Sequence, residues 1–319
     1  MLGGLFALLA AVTFAWTNAA VRRGVVSGTA VQATTLSIPL GLPVFAVALL
    51  ISGQPDALLQ MPIRSALVFA LVGISHFVIG RYCNYRALAA IGTNLAGPVM
   101  QFSLIVSLVL AIVFLGETLT PLRMLGIVLI LIGPAIVSRD RNGKSAAKPS
   151  GFTPRIAEGY VFAFLGSLCY GASPVLVRYG VAGEGLAASL AGGVIASAAA
   201  TAVILALLLV PGHWRDVRAV SPKAARWFVS SGVLVYVSQI FAYMAVAVAP
   251  VTLVAPIIAL SNVFRIYLSH WLNPEHEVFG SDVVAATAIS FVGVVALSAS
   301  VELLPLPPAW SAFLAWHWP

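Results

Sequence analysis

Long runs of apolar residues, separated by short polar segments, are the dominant pattern of this chain. A helix needs about 20 apolar residues to span the hydrocarbon core of a membrane. The runs are continuously apolar, whereas the strands of a membrane barrel alternate. Because backbone groups in lipid must pair within their own segment, the runs predict transmembrane helices. There are ten, at residues 2–21, 30–52, 66–88, 95–115, 122–138, 158–177, 187–210, 226–248, 251–272 and 281–300.

Composition supports a membrane protein. Hydrophobic residues make up 61% of the 319-residue chain and charged residues only 8%, whereas an ordinary soluble domain has about 25% charged residues. The net charge of +7 comes mainly from loops beside the predicted spans, so it indicates membrane orientation rather than nucleic-acid binding. We therefore predict an all-α, multi-pass membrane protein in contact with lipid, with no nucleic-acid partner.

The second half of the chain repeats the first. Residues Tyr85–Pro98 reappear in outline as Tyr243–Pro256, and residues 3–25 reappear as 159–181. Each repeat contains five predicted spans, and an odd number forces the second repeat to enter from the opposite side of the membrane. The sequence thus predicts two inverted five-helix repeats, an arrangement typical of secondary transporters.

The predicted domain boundaries follow from this duplication. The first repeat covers residues 1–138, a polar linker with Gly and Pro covers 139–156, and the second repeat covers 157–300. The remaining residues, 301–319, contain several tryptophans and prolines. We predict that this tail lies at the headgroup region, where aromatic rings settle.

Basic residues in the predicted loops are distributed unequally. Eleven lie on the side of the membrane that holds the linker and three on the other side, while three more lie inside spans. The positive-inside rule then places the linker in the cytoplasm and both termini outside.

Several segments resemble a known transporter family. Phe114 to Gly133, which begins Phe-Leu-Gly-Glu-Thr-Leu-Thr-Pro, looks like the end of an EamA repeat of the drug/metabolite transporter (DMT) superfamily, and Tyr85-Arg-Ala-Leu fits the same pattern. The second repeat departs from it, because Asn273-Pro-Glu-His-Glu277 replaces Leu115-Gly-Glu117. The resemblance implies a transporter of the bacterial inner (plasma) membrane. It also implies cytoplasmic termini, opposite to the charge distribution.

Polar residues inside the spans are the candidate site, because charges in a bilayer are costly and are usually functional. His76, Arg81, Asn84 and Tyr85 fall on one half of the third span, and a stripe on the eighth span contains Gln239. Interhelical hydrogen bonding and snorkelling of arginines are the alternatives for individual residues. The predicted cavity-lining residues are Trp16, Asn18, His76, Arg81, Asn84, Tyr85, Gln101, Tyr170, Tyr236, Gln239, Tyr243, Asn262 and Arg265.

The charge of these residues indicates the substrate class. The acidic residues lie in loops or at span ends, as Glu158 and Asp282 do, whereas Arg81 and Arg265 lie well inside predicted spans. A guanidinium grips carboxylate or phosphate in two hydrogen bonds. We therefore predict a secondary transporter that exports a small anionic or zwitterionic metabolite, such as an amino acid or an organic anion, by alternating access.

Other functions and partners stay open at this point. A flippase for a lipid-linked substrate and a non-transporting scaffold are the alternatives, and coupling to a proton or a counter-substrate is undecided. The spans contain no catalytic set, so we predict no enzyme, no cofactor and no metal. The two cysteines, Cys83 and Cys169, lie inside predicted helices and suggest neither a disulfide nor a metal site.

Overall fold

The computed structural model describes residues 2–25, 28–144, 155–181 and 183–261, together with positions 263–264, 267–268, 288–289, 292–293, 296 and 316. Among these residues there are α-helices, two short 3₁₀ segments and one π-helical segment, and no strand. The α-helices are α1 (Leu2–Val25), α2 (Ala30–Ser37), α3 (Gly41–Ile51), α4 (Ile63–Val72), α5 (Arg81–Met100), α6 (Phe102–Leu115), α7 (Pro121–Lys144), α8 (Ile156–Val181), α9 (Gly185–Leu208), α10 (Pro211–Arg218), α11 (Pro222–Val248) and α12 (Val251–Ala259).

Much of this helical structure is suited to a membrane. Among the described residues, the stretches long and apolar enough to cross a bilayer are Ala30–Ile51, Ile63–Ile91, Ile156–Val181, Gly185–Leu208 and Pro222–Val248. Shorter apolar helices are Leu2–Asn18, Phe102–Leu115 and Pro121–Ile132. The prediction of an all-helical fold is confirmed for the described residues, and the ten spans in two inverted repeats stay a prediction. Most of the tenth predicted span, most of the interfacial tail and part of the ninth span lie outside the described residues.

Three local features differ from the sequence prediction. The third span contains a π-helical segment, Gly73–Gly80, between α4 and α5. Helix α7 runs on to Lys144 and so includes the first residues of the predicted linker. The short helix α10 occupies the predicted loop before the eighth span, and the guanidinium of Arg218 lies 4.8 Å from the centre of the Trp214 ring. In this cation–π contact the charged guanidinium of Arg218 covers the apolar face of the Trp214 ring.

The helices pack in pairs that join the two halves of the chain. Helix α1 packs along α11, α5 along α8, and α3 and α4 against α9. Small residues permit this approach: a Cβ added at Gly3 would overlap Ala249, and one added at Gly159 would overlap Ile91. Hence the beginning of α1 contacts the α11–α12 connection, and the beginning of α8 contacts the chain near the middle of α5.

The path of the chain reverses within the segment that ends α5. The backbone amide of Arg155 donates a hydrogen bond of 2.9 Å to the carbonyl of Ala90. Asn84 lies beside Gly166 of α8, Ile91 lies against Gly159 nearer the beginning of that helix, and Met100 lies beside Gly166 again. This reversal falls where the sequence predicts the connection between the third and fourth spans, although the backbone there is helical.

Candidate functional site

A cavity of about 250 Å³ lies between the two halves of the chain. Its walls come from α1, the π-helical segment, α5, α6, α8, α11 and α12. These elements belong to the first, third and fourth predicted spans and to the equivalent spans of the second repeat, the sixth, eighth and ninth. Small-molecule sites commonly lie at such interfaces between packed elements.

Arg81, the first residue of α5, is a buried cation in the cavity wall. It is 2% exposed. Its guanidinium lies 4.7 Å from the ring centre of Tyr236 and 5.4 Å from that of Phe77, and its Nη1 is 3.5 Å from the Ser37 hydroxyl. No acidic side chain among the described residues forms an ion pair with it, and its Nη2 has no hydrogen-bond partner there. The aromatic rings supply part of the compensation for the buried charge.

Tyr236 holds one of these rings in place. Its hydroxyl donates a hydrogen bond of 2.9 Å to the carbonyl of Ile38, in the 3₁₀ segment between α2 and α3. Its ring packs edge-on against Phe45 and Phe77. Gly41 lies so close to the ring that an added Cβ would overlap it. The ring that contacts Arg81 is therefore fixed by contacts with both the second and the third span.

His76 and Gln239 connect the two halves inside the cavity. The Nε2 atoms of the two side chains are 2.7 Å apart. The Gln239 amide nitrogen donates in this contact when His76 is in the tautomer with its proton on Nδ1, which leaves Nε2 as the acceptor. His76 lies in the π-helical segment, five residues before Arg81. Because a π-helix pairs residues five apart, this segment brings His76 and Arg81 to the same wall.

The structure brings most of the predicted site residues together. Nine of the thirteen line the cavity, namely Asn18, His76, Arg81, Asn84, Tyr85, Gln101, Tyr170, Gln239 and Tyr243. Tyr236 is fully buried and does not line the cavity, but its ring contacts the guanidinium of Arg81, which does. Trp16 does not line the cavity and is 41% exposed, because Phe14, Thr17 and Val21 occupy the inward face of α1. Asn262 and Arg265 lie outside the described residues.

Several wall residues were not predicted from the sequence. The clearest are small hydroxyl residues on α6, Ser103 and Ser107, and Pro174 within α8. The Ser107 hydroxyl donates a hydrogen bond of 2.6 Å to the carbonyl of Gly171, one turn before Pro174. Serine and proline occur widely in membrane helices, so their presence in these spans did not indicate this contact.

A second pocket of about 410 Å³, called the outer pocket below, lies at the end of the molecule that holds the α11–α12 connection. Arg64, Glu117, Arg178 and Pro250 contribute to its lining. Glu117 lies just after the end of α6, and its carboxylate accepts hydrogen bonds of 2.8 Å from the backbone amides of Val251 and Thr252.

Comparisons with known proteins agree with this helical architecture. A crystal structure of another protein matches at a TM-score of 0.64 and 19% identity, over 93% of this chain and 95% of the other, and 29 solved chains match in all. At that identity the likeness shows the fold alone. No curated protein matches the sequence.

The apolar helices, together with a match to a family of transporters, support an integral membrane protein. Residues 1–139 match the EamA-like transporter family, which is part of the DMT superfamily. The resemblance read from the sequence is thus confirmed over the first half of the chain. The match implies a membrane transporter of the DMT type.

Proposed function

We propose that this protein is a secondary transporter of a small anionic or zwitterionic metabolite, which binds in the central cavity and moves by alternating access. In this proposal the ten predicted spans form two inverted five-helix repeats in a bacterial inner membrane, and the predicted cavity residues bind the substrate. Each part rests on a separate observation.

The observation that carries the proposal is that Arg81 is a buried charge with no acidic partner among the described residues. A charged group removed from water costs several kcal/mol unless other groups compensate for it. Among the described residues Arg81 has aromatic rings and the hydroxyls of Tyr236 and Ser37 beside it, but no carboxylate. Its Nη2 is buried without a partner there. A bound carboxylate or other oxyanion would supply the missing charge and the missing acceptor.

The size of the cavity supports a small substrate. Sites for drug-sized ligands usually enclose about 300–1,000 Å³, whereas this cavity encloses about 250 Å³. A metabolite of the size of an amino acid or a short organic acid fits that volume better than a large drug or a lipid.

The pairing of helices supports alternating access between inverted repeats. The contact of Gly3 with Ala249 and the contact of Gly159 with Ile91 join equivalent positions of the two repeats, within the offsets of 156 and 158 residues seen in the sequence. These two contacts lie at opposite ends of the cavity in the predicted topology. In a transporter with inverted repeats, equivalent helix contacts at opposite ends of the cavity allow one end to open while the other stays closed.

Purified protein can be tested against a panel of anionic, zwitterionic and cationic metabolites by thermal shift, because a bound ligand raises apparent stability by mass action. We expect stabilisation by anions or zwitterions, abolished in Arg81→Gln and retained in Arg64→Gln, whose side chain lines the outer pocket instead. Stabilisation by cationic compounds alone would contradict the proposal.

A further inference from the structure

Three buried polar atoms without described partners point to a narrower substrate class. They belong to Arg81 (Nη2), His76 (Nδ1) and Tyr243 (hydroxyl), and all three residues line the same cavity. Each of these atoms can donate a hydrogen bond: the guanidinium always, the hydroxyl by rotation, and the imidazole in the tautomer that carries its proton on Nδ1 and accepts at Nε2 from Gln239. Buried polar groups in a native protein normally have partners. Their natural joint partner is a ligand rich in acceptor oxygens.

The remaining polar lining is neutral. Asn18, Asn84 and Gln101 are amides, and none of the described lining residues is acidic. The sequence places no Asp or Glu between Val251 and Leu272, so the undescribed part of the ninth span adds none. An ammonium group entering this cavity would meet the positive charge of Arg81 with no carboxylate to offset its desolvation. The lining therefore favours a ligand that is negatively charged overall.

We infer that the transported substrate is a small organic acid bearing a carboxylate and no ammonium group, so that among the anionic and zwitterionic candidates the zwitterions are the poorer ligands. This inference rests on the proposed function. Arg81, His76 and Tyr243 would bind the carboxylate, and the amide side chains would contact a neutral polar or hydroxylated remainder.

Matched pairs of ligands test the inference directly. A 2-hydroxy acid and the amino acid with the same side chain, for example 2-hydroxy-4-methylpentanoate and leucine, differ only in a hydroxyl against an ammonium. We expect the hydroxy acids to bind wild-type protein at least tenfold more tightly across several such pairs, by calorimetry or thermal shift. In Arg81→Gln we expect this preference to fall below threefold, while Arg64→Gln retains it.

The outcomes separate the inference from the proposed function. Equal or tighter binding of the amino acids would overturn the inference and leave a transporter of zwitterions. If neither the hydroxy acids nor the amino acids bind, and no other anion in the panel binds, the inference and the proposed function are both overturned. Loss of preference in Arg64→Gln as well would show that the discrimination is not made in the central cavity.

An independent set of contacts concerns the α11–α12 connection, at one end of the cavity. The α11–α12 connection separates the central cavity, which Val246 and Ala255 line, from the outer pocket, which Pro250 lines. Arg178 donates hydrogen bonds of 2.8 Å from Nη1 to the carbonyls of Val246 and Ala247 at the end of α11. Glu117 binds the first amides of α12. A cation on helix-terminal carbonyls and an anion on helix-terminal amides match the dipoles of both helices.

We propose that Glu117 and Arg178 act as a latch that keeps the α11–α12 connection closed over this end of the cavity. The two residues come from the ends of α6 and α8, so movement of those helices relative to α11 and α12 would break all four hydrogen bonds. The outer pocket would then join the central cavity, and the substrate could pass through the opening.

Cysteine labelling tests the latch. In protein with Cys83→Ser and Cys169→Ser, a cysteine at Ala255, which lines the closed end, reports access of a hydrophilic thiol reagent. We expect Glu117→Ala and Arg178→Gln each to raise the labelling rate at least tenfold, and Arg64→Ala, which removes none of these bonds, to leave it unchanged. Folding is checked by size exclusion. Wild-type labelling rates in whichever latch variant folds would overturn the proposal.

Discussion

The guanidinium of Arg81 lies 4.7 Å from the centre of the Tyr236 ring, so a residue from the first half of the chain places its charge on a residue from the second half. The Tyr236 hydroxyl is in turn bound to the carbonyl of Ile38. Arg81 therefore depends on a ring whose position both halves fix. Movement of α11 relative to α5 would change the environment of the buried charge.

Two substitutions at Tyr236 separate its hydrogen bond from its ring. Tyr236→Phe removes the bond to Ile38, and we expect a loss of about 0.5–1.5 kcal/mol in stability with anion affinity reduced less than threefold. Tyr236→Leu also removes the cation–π contact, which is worth about 2 kcal/mol when desolvated, so we expect affinity to fall at least tenfold. Thermal unfolding and ligand titration measure the two effects. Equal affinities in the two variants would contradict the role given to the ring.

A carboxylate introduced at Gln239 should change the charge preference of the cavity. Gln239→Glu places an acid beside His76, where the amide nitrogen now lies at 2.7 Å, and it would offset the charge of Arg81. We expect anion binding to weaken at least tenfold and binding of an ammonium-bearing analogue to appear. Gln239→Leu is the matched control, because it removes the hydrogen bond without adding charge, and we expect a smaller loss. An unchanged preference in Gln239→Glu would place the anion elsewhere.

Adjacent glycines at the beginning of α1 test the close packing of that helix. A Cβ added at Gly3 would overlap the Cβ of Ala249, which cannot move without its backbone, whereas one added at Gly4 would lie 3.9 Å from the nearest atom, in Ile257. We expect Gly3→Ala to lower stability by about 1–3 kcal/mol, and Gly4→Ala to be neutral or slightly stabilising. Melting temperatures in detergent compare the two. A loss in Gly4→Ala as large as that in Gly3→Ala would contradict the packing.

Membrane orientation is testable with two exposed positions, Asp56 and Arg155, on opposite sides of the predicted topology. The distribution of basic residues predicts that Asp56→Cys reacts with an impermeant thiol reagent in intact cells and that Arg155→Cys reacts only after permeabilisation. The native Cys83 is buried and Cys169 half-buried. The unsubstituted protein serves as the background control. The reverse pattern would place both termini in the cytoplasm, as the family resemblance implies.

The sequence was sufficient to predict the helical membrane fold and the grouping of His76, Arg81, Asn84 and Tyr85, because hydropathy and helical periodicity are local properties. It did not predict that Trp16 would lie outside the cavity, since a tryptophan on a membrane helix suits either a cavity or a lipid-facing surface. It did not predict the π-helical segment or the hydrogen bonds of Glu117 with α12, which depend on tertiary contacts between distant segments. The inverted relation of the two repeats stays a prediction.

Transport itself is the most direct test of the central claim that Arg81 binds an anionic substrate in a cavity with alternating access. Proteoliposomes preloaded with the tightest-binding carboxylate should accumulate the labelled compound by counterflow through the wild-type protein. We expect Arg64→Gln to retain this flux and Arg81→Gln to reduce it at least tenfold. Wild-type counterflow in Arg81→Gln, or no flux of any anion or zwitterion through the wild-type protein, would contradict the account.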